Sequence, residues 1–308
     1  MANKGSAHFR RTADSRTLCH EGSAPARITH ISYEGSMGTE CDTGAIYAGR
    51  HLVGDRPARR AELWSPKHPN LVARLRRKGR SYSEIIAVNH AVPADFTALC
   101  LLVLANGALA EEFAISSEAP FFVNLDVGAM FHFQDALQAG YFLPRATLMT
   151  WQREFVGASM IHELDFPPLA PAVLEMTAAR LRGKFGIRNT DADLQPLFLM
   201  PGGRDAMQRR MSNWRDIEPG LENAGVRLMD PEAASLGELV RAVASAPRII
   251  GISSPYLTAA MFRFPKRIVL TEITDTADGT PLHREMVSAL QGQYEALPAE
   301  EFTAVDLD

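Results

Sequence analysis

The chain predicts an α/β fold with two Rossmann-like domains, on three observations. Across 196–273, short β-branched and apolar runs alternate with helical patterns, as in a parallel sheet covered on both faces. The first half repeats that alternation in looser form. The chain's 308 residues exceed a usual single core, so two domains of ordinary size, with a cleft between them, are expected.

In chain order, residues 1–26 are basic and polar and lack the apolar core of a secretory signal, so a flexible arm is expected there. An N-terminal domain over 27–166 opens with the strands RITHISYEG, GAIYAGRHLV and SEIIAVNH. A helix over 95–113 follows, capped by Asp95. Its apolar run FTALCLLVLANGALA is shorter than the roughly 20 residues a bilayer span needs and marks a buried helix. PFFVNLD is a strand, GAMFHFQDALQAG a helix ended by Gly140, and RATLMTW and EFVGASMIHE are two more strands. Residues 167–189 form a linking helix that starts on prolines and places Arg180, Arg182 and Lys184 near its C-terminal end, where the dipole favours cations.

The C-terminal domain over 190–308 contains the strands PLFLM, VRLMD, RIIGIS and KRIVLTEI with helical patterns between them, and LHREMVSALQGQYEAL as a last helix. In open parallel sheets, ligands bind outside the carboxyl ends of the strands. The loops at those ends are therefore the places to look for chemistry.

Composition narrows the class. Apolar residues make up 46% and charged residues 22% of the chain, as in a soluble globular protein, and a net charge of -4 gives no global attraction to nucleic acid. Cys19, Cys41 and Cys100 are too few and scattered for a disulfide framework or zinc cluster, which fits a reduced, cytoplasmic protein without a transmembrane segment. No H-E-x-x-H or G-x-S-x-G is present, so neither a metal nor a cofactor is expected. The missing G-x-G-x-x-G argues against a dinucleotide.

Four loops stand out. PGGR at 201–204 follows a strand, and its two glycines allow a tight turn. With Arg204, Arg209 and Arg210 it has the makings of an anion cradle, or else of a plain turn with solvated arginines. Ser253, Ser254 and Pro255 follow the strand RIIGIS and suit a capped helix start whose free amides favour a diphosphate, or a cap without a ligand. Glu272, near the end of KRIVLTEI, is placed to accept ribose hydroxyls unless it is simply solvated. His90 and Asp95 lie at a strand-to-helix turn where either is a candidate general base, although a lone histidine there is more often structural.

Taken together, these segments resemble family 61 glycosyltransferases, the group that includes many capsular polysaccharide biosynthesis proteins. The resemblance covers about residues 84–273. It runs through Asn89-His90, PFFVN, FQDALQAG with RATLMTW, and the stretch from QRRMSNWRDIEPGLENAG to LTAAMFRFPKRIVLTEI. The sequence departs from the family where Ser253-Ser254-Pro255 replaces a His-Gly-Ala, where Leu239 replaces a glutamine, and where the arginine at the end of the first strand is replaced by Pro201 or displaced to Arg204.

The resemblance implies a GT-B architecture and inverting, metal-independent transfer from a nucleotide sugar to a glycan acceptor. Within it, Arg204, Arg209 or Arg210 neutralises the diphosphate and Ser253, Ser254 and the amides beside Tyr256 hold its oxygens. Asn213 and Glu272 orient the nucleoside, and His90 or Asp95 is the base. The departures keep a second expectation open: a non-catalytic glycan-binding or assembly protein that retains the fold.

Overall fold

The computed structural model describes residues 9–19, 25–40, 46–48, 51–54, 81–88, 94–150, 155–188, 195–274 and 279–302. The chain divides into two compact units, Met1–Pro168 and Leu169–Asp308. Each unit holds one sheet with helices beside it, so the mixed α/β, Rossmann-like character read from the sequence is present in both.

The first unit is built on an eight-stranded sheet. Its strands are β1 (Phe9–Leu18), β2 (Ala26–Glu40), β3 (Ile46–Ala48), β4 (His51–Gly54), β5 (Ser81–Ala87), β6 (Phe121–Asn124), β7 (Thr147–Thr150) and β8 (Phe155–Asp165). The order is β4-β3-β2-β8-β5-β6-β7, with β1 also on β2. β8, β5, β6 and β7 are mutually parallel, whereas β1 to β4 and the β2–β8 pair are antiparallel. One face carries the core of Ile31, Tyr33, Ile85, Phe122 and Ile161.

Between β5 and β6 a helix runs over 96–112 as α1 (Phe96–Ala98), a π-helical segment (Leu99–Leu104) and α2 (Ala105–Glu112). Every residue of the π-helical segment is buried, as the apolar run predicts for a core helix. Two short helices, α3 (Leu125–Gly128) and α4 (Phe131–Gln138), lie between β6 and β7.

The expected arm gives way over residues 9–18, which pair antiparallel with β2 from Phe9–Gly35 to Leu18–Ala26. FRRTADSRTL shows no apolar alternation because nearly every residue of β1 is exposed, so the period-two signal of a half-buried strand is absent. The run GAIYAGRHLV, expected as one strand, is the antiparallel pair β3 and β4.

In the second unit, α5 (Pro171–Lys184) precedes a five-stranded, wholly parallel sheet. The strands are β9 (Leu197–Leu199), β10 (Arg227–Met229), β11 (Ile249–Ile252), β12 (Val269–Thr274) and β13 (Gln293–Pro298). Between them come α6 (Gly203–Arg210), α7 (Trp214–Asn223), α8 (Leu236–Ser245), a 3-10 helix (Pro255–Arg263) and α9 (Pro281–Ala289). α5 touches α8 and the 3-10 helix, so it belongs to the layer of this unit. α6 and α7 contribute Met207, Trp214, Ile217 and Leu221 to a core around Phe198, Ile250, Ile273 and Phe302.

The strand order is β10-β9-β11-β12-β13. The chain steps outward from β9 to β10 and then returns to place β11 on the other side of β9, so the winding reverses between β9 and β11. Gly251 permits this neighbouring, since a Cβ there would lie 2.9 Å from the Leu199 carbonyl oxygen.

β13 is a correction. LHREMVSALQGQYEAL, expected as one helix, is helical only to Ala289; Gln291 then takes φ 55° and QYEALP pairs in parallel with β12. A left-handed residue ends the helix. Gly292 completes the reversal against the Ile268 carbonyl, which a Cβ would approach to 2.7 Å.

Candidate functional site

The carboxyl ends of the second sheet present two different loops. After β9, Gly202 and Gly203 take φ 80° and 70°, the left-handed turn that paired glycines predict. The amide so exposed is already engaged, because Gly202 N donates to Asp230 Oδ1 at 3.2 Å. The same oxygen accepts from Glu232 N at 2.9 Å. Arg204 points to α7, with Nε 2.5 Å from Glu218 Oε1 and Nη2 2.6 Å from Glu222 Oε1. Tyr256 has its phenol pushed up to about 12, chiefly by burial and then by the charges of Glu232 and Asp230. The turn is therefore flanked by acidic groups, and its Gly202 amide is taken by Asp230 from the loop after β10.

After β11 and β12 lies a cavity of about 430 Å³, lined by Arg210, Met211, Ile252, Ser253, Ile273, Thr274 and Ala299. Its size suits a small-molecule site, with apolar walls and a few convergent polar groups. Arg210 ends α6 in an exposed position and has no ion-pair partner among the described residues. Asn213 stands at the cap of α7, and its Nδ2 reaches the carbonyl of the cavity-lining Ala299 at 3.4 Å. Arg209 is exposed in the last turn of α6.

Ser254 caps the 3-10 helix in backbone conformation only; its Oγ is buried and has no hydrogen-bond partner among the described residues. Ser253 differs. Its Oγ lies 2.9 Å from Thr280 Oγ1, which in turn donates to the Glu272 carboxylate.

Glu272 is the centre of a buried network. It is fully buried and accepts from Thr280 Oγ1 at 2.5 Å, Tyr294 Oη at 2.7 Å, His283 Nδ1 at 3.2 Å and Thr280 N at 3.3 Å. Burial alone raises a carboxyl pKa, yet hydrogen bonds from His283, Ser253 and Thr280, with the His283 charge, outweigh it and hold Glu272 down at about 2. Burial and this carboxylate push the Tyr294 phenol up. The strand-end position expected of Glu272 holds, but α9 and β13 cover the side chain. Gly279 is part of the arrangement, because at φ 66° it leaves room for Tyr294, whose hydroxyl a Cβ at 279 would overlap.

In the first unit, Asp95 caps the helix over 96–112 as expected, its Oδ1 accepting from Ala98 N at 2.7 Å. Burial raises its carboxyl pKa against the pull of the Ala98 and Thr97 amides. His90 lies outside the described residues. A row of polar side chains that no sequence motif announces crosses β5, β8 and β2. His162 Nε2 is 3.1 Å from Glu84 Oε2, and His162 Nδ1 is 3.0 Å from His30 Nε2. Burial, then His162, lowers His30 to about 4; burial also lowers His162, against the pull of Glu84.

Thus Arg210 and Ser253 meet in one cavity with Asn213 beside it, while Arg204 and Glu272 are engaged elsewhere. Thr280, His283, Tyr294 and Asp230 were missed. Each reaches its partner from a different element, so no local spacing announces it. Among the described residues, no group of three or more His, Cys, Asp or Glu is placed to hold a metal ion, and no helix is long and apolar enough to cross a membrane. No protein-family model matches the chain, and no curated protein is significantly similar to it.

Proposed function

We propose that this chain is a glycosyltransferase-like enzyme that takes a nucleotide sugar on its C-terminal unit and passes the sugar to a glycan acceptor engaged by residues 27–166. The observation that carries the proposal is the cavity at the carboxyl ends of β11 and β12, where one guanidinium stands over apolar walls. In a parallel sheet with a winding reversal, this end of the strands is where nucleotides bind. Arg210 neutralises the diphosphate, Met211, Ile252 and Ile273 pack against the nucleoside, and Asn213 orients it from the cap of α7. An inverting, metal-independent transfer, with His90 or Asp95 as base, belongs to the same proposal through the family 61 resemblance.

A panel of uridine, guanosine, cytidine and adenosine diphosphates and their sugars in a thermal-shift assay tests it. At a hundred times the dissociation constant a ligand adds about 2.7 kcal/mol. One or more of the panel is expected to raise the melting temperature by several degrees, and Arg210→Ala to remove most of the shift. No shift with any nucleotide at millimolar concentration overturns the proposal.

A second reading, a non-catalytic glycan-binding or assembly protein, is favoured by the Gly202 turn, whose amide is held by Asp230 rather than left open for a phosphate. It predicts glycan binding with no nucleotide shift in the same panel.

A further inference from the structure

Ser253 belongs both to the cavity wall and to the Glu272 network, and counting protons decides what it offers a ligand. Glu272 is ionised at neutral pH and can only accept. Thr280 has one hydroxyl proton, and that proton is directed to Glu272 Oε1 at 2.5 Å. In the 2.9 Å contact between Ser253 and Thr280, the serine is therefore the donor. The single Ser253 proton is thus drawn toward Thr280 and away from the cavity. What remains for a ligand is a lone pair, with a buried negative charge behind it.

A phosphate oxygen meeting that lone pair would be repelled. A hydroxyl would be welcomed, since it brings its own proton. We propose, resting on the nucleotide-sugar reading above, that Ser253 accepts a hydrogen bond from a sugar-ring hydroxyl of the ligand, while the phosphates lie toward Arg210. The cavity thereby acquires a direction: an anionic end at α6 and a hydroxyl end at the junction of β11 with Thr280. Ser253 then sets specificity for a ring hydroxyl and plays no part in holding the diphosphate.

The test is isothermal titration of the wild-type chain and Ser253→Ala. The probes are inorganic pyrophosphate, the nucleoside diphosphate that binds tightest in the panel, its 2′-deoxy and 3′-deoxy forms, and the matching nucleotide sugar. Pyrophosphate is expected to bind both proteins within twofold, which also shows that the variant retains a folded site. The ring-bearing ligand is expected to bind Ser253→Ala about tenfold more weakly, the scale of one lost hydrogen bond.

If the penalty vanishes with one deoxy form, the hydroxyl is on the ribose; if it is seen only with the nucleotide sugar, it is on the donor sugar. Both outcomes support the assignment. Equal weakening of pyrophosphate and nucleotide, or no weakening of any ligand, overturns it and leaves the nucleotide site standing. Absence of binding by every probe to the wild-type chain removes the nucleotide reading and this inference together.

Discussion

Each unit contains a histidine paired with a glutamate, at nearly the same distance: His162–Glu84 at 3.1 Å between two strands of the first and His283–Glu272 at 3.2 Å between α9 and β12 in the second. Their surroundings differ. The Glu84 side chain keeps 20% of its exposure and Glu272 none. Burial alone would hinder ionisation of Glu272, yet its carboxyl is held down at about 2. Around it, two hydroxyl donors, an amide and an imidazole converge on the carboxylate, and Ser253 stands behind Thr280 at 2.9 Å. His162 faces a second imidazole, His30, and burial lowers both rings. The number of donors aimed at a buried group, more than its exposure, decides whether it is charged.

The comparison is broken most directly at Glu272. Glu272→Ala leaves the buried His283 and the half-buried Thr280 and Tyr294 donors without this acceptor. A loss of about 3–5 kcal/mol is expected in urea unfolding. Glu272→Gln, which keeps one accepting oxygen, should lose less. Equal stability of wild type and Glu272→Ala would mean that the donors find other partners.

Acid titration of stability separates the two clusters by pH. His30 has a folded value near 4 against an ordinary 6.5, so the unfolded chain takes the proton first and stability falls between pH 6.5 and 4. Glu272 has a folded value near 2 against an ordinary 4.5; its contribution is whole above 4.5 and is lost between 4.5 and 2. His30→Gln is expected to flatten the upper window by roughly 1–2 kcal/mol, leaving the lower one intact. A variant whose upper window keeps its slope would show that another group titrates there.

The smallest effect is expected from Glu84→Gln. Glu84 raises the pKa of His162 against burial, so its removal should move the imidazole further down in an NMR titration. At neutral pH the stability change should stay within about 1 kcal/mol, as for a partly exposed pair. An upward shift would reverse the assigned balance.

Much of the second sheet was legible because β9 to β12 are short apolar runs separated by helical patterns, and a fully covered parallel strand shows itself in that way. β13 was not, since QYEALP carries alternating polar residues and follows α9 after a turn of only a few residues. That omission hid the site chemistry. With QYEALP read as helix, Tyr294 does not reach Glu272, and the carboxylate looks solvated. Paired glycines at 202 and 203 announced their turn, but nothing near them in sequence announces Asp230, which arrives from the far end of β10. The Ser253 loop was found from strand-end logic, whereas the direction of its proton depends on Thr280, brought over by the chain leading into α9.

Gly279 carries no charge and donates no side-chain bond, yet it decides whether the Tyr294 hydroxyl can sit where it does. A single methyl there would displace the phenol and loosen the anchor behind Ser253 from outside the binding pocket. A mutational screen confined to ionisable and hydroxyl residues would overlook this position, although a change there acts through one misplaced proton donor.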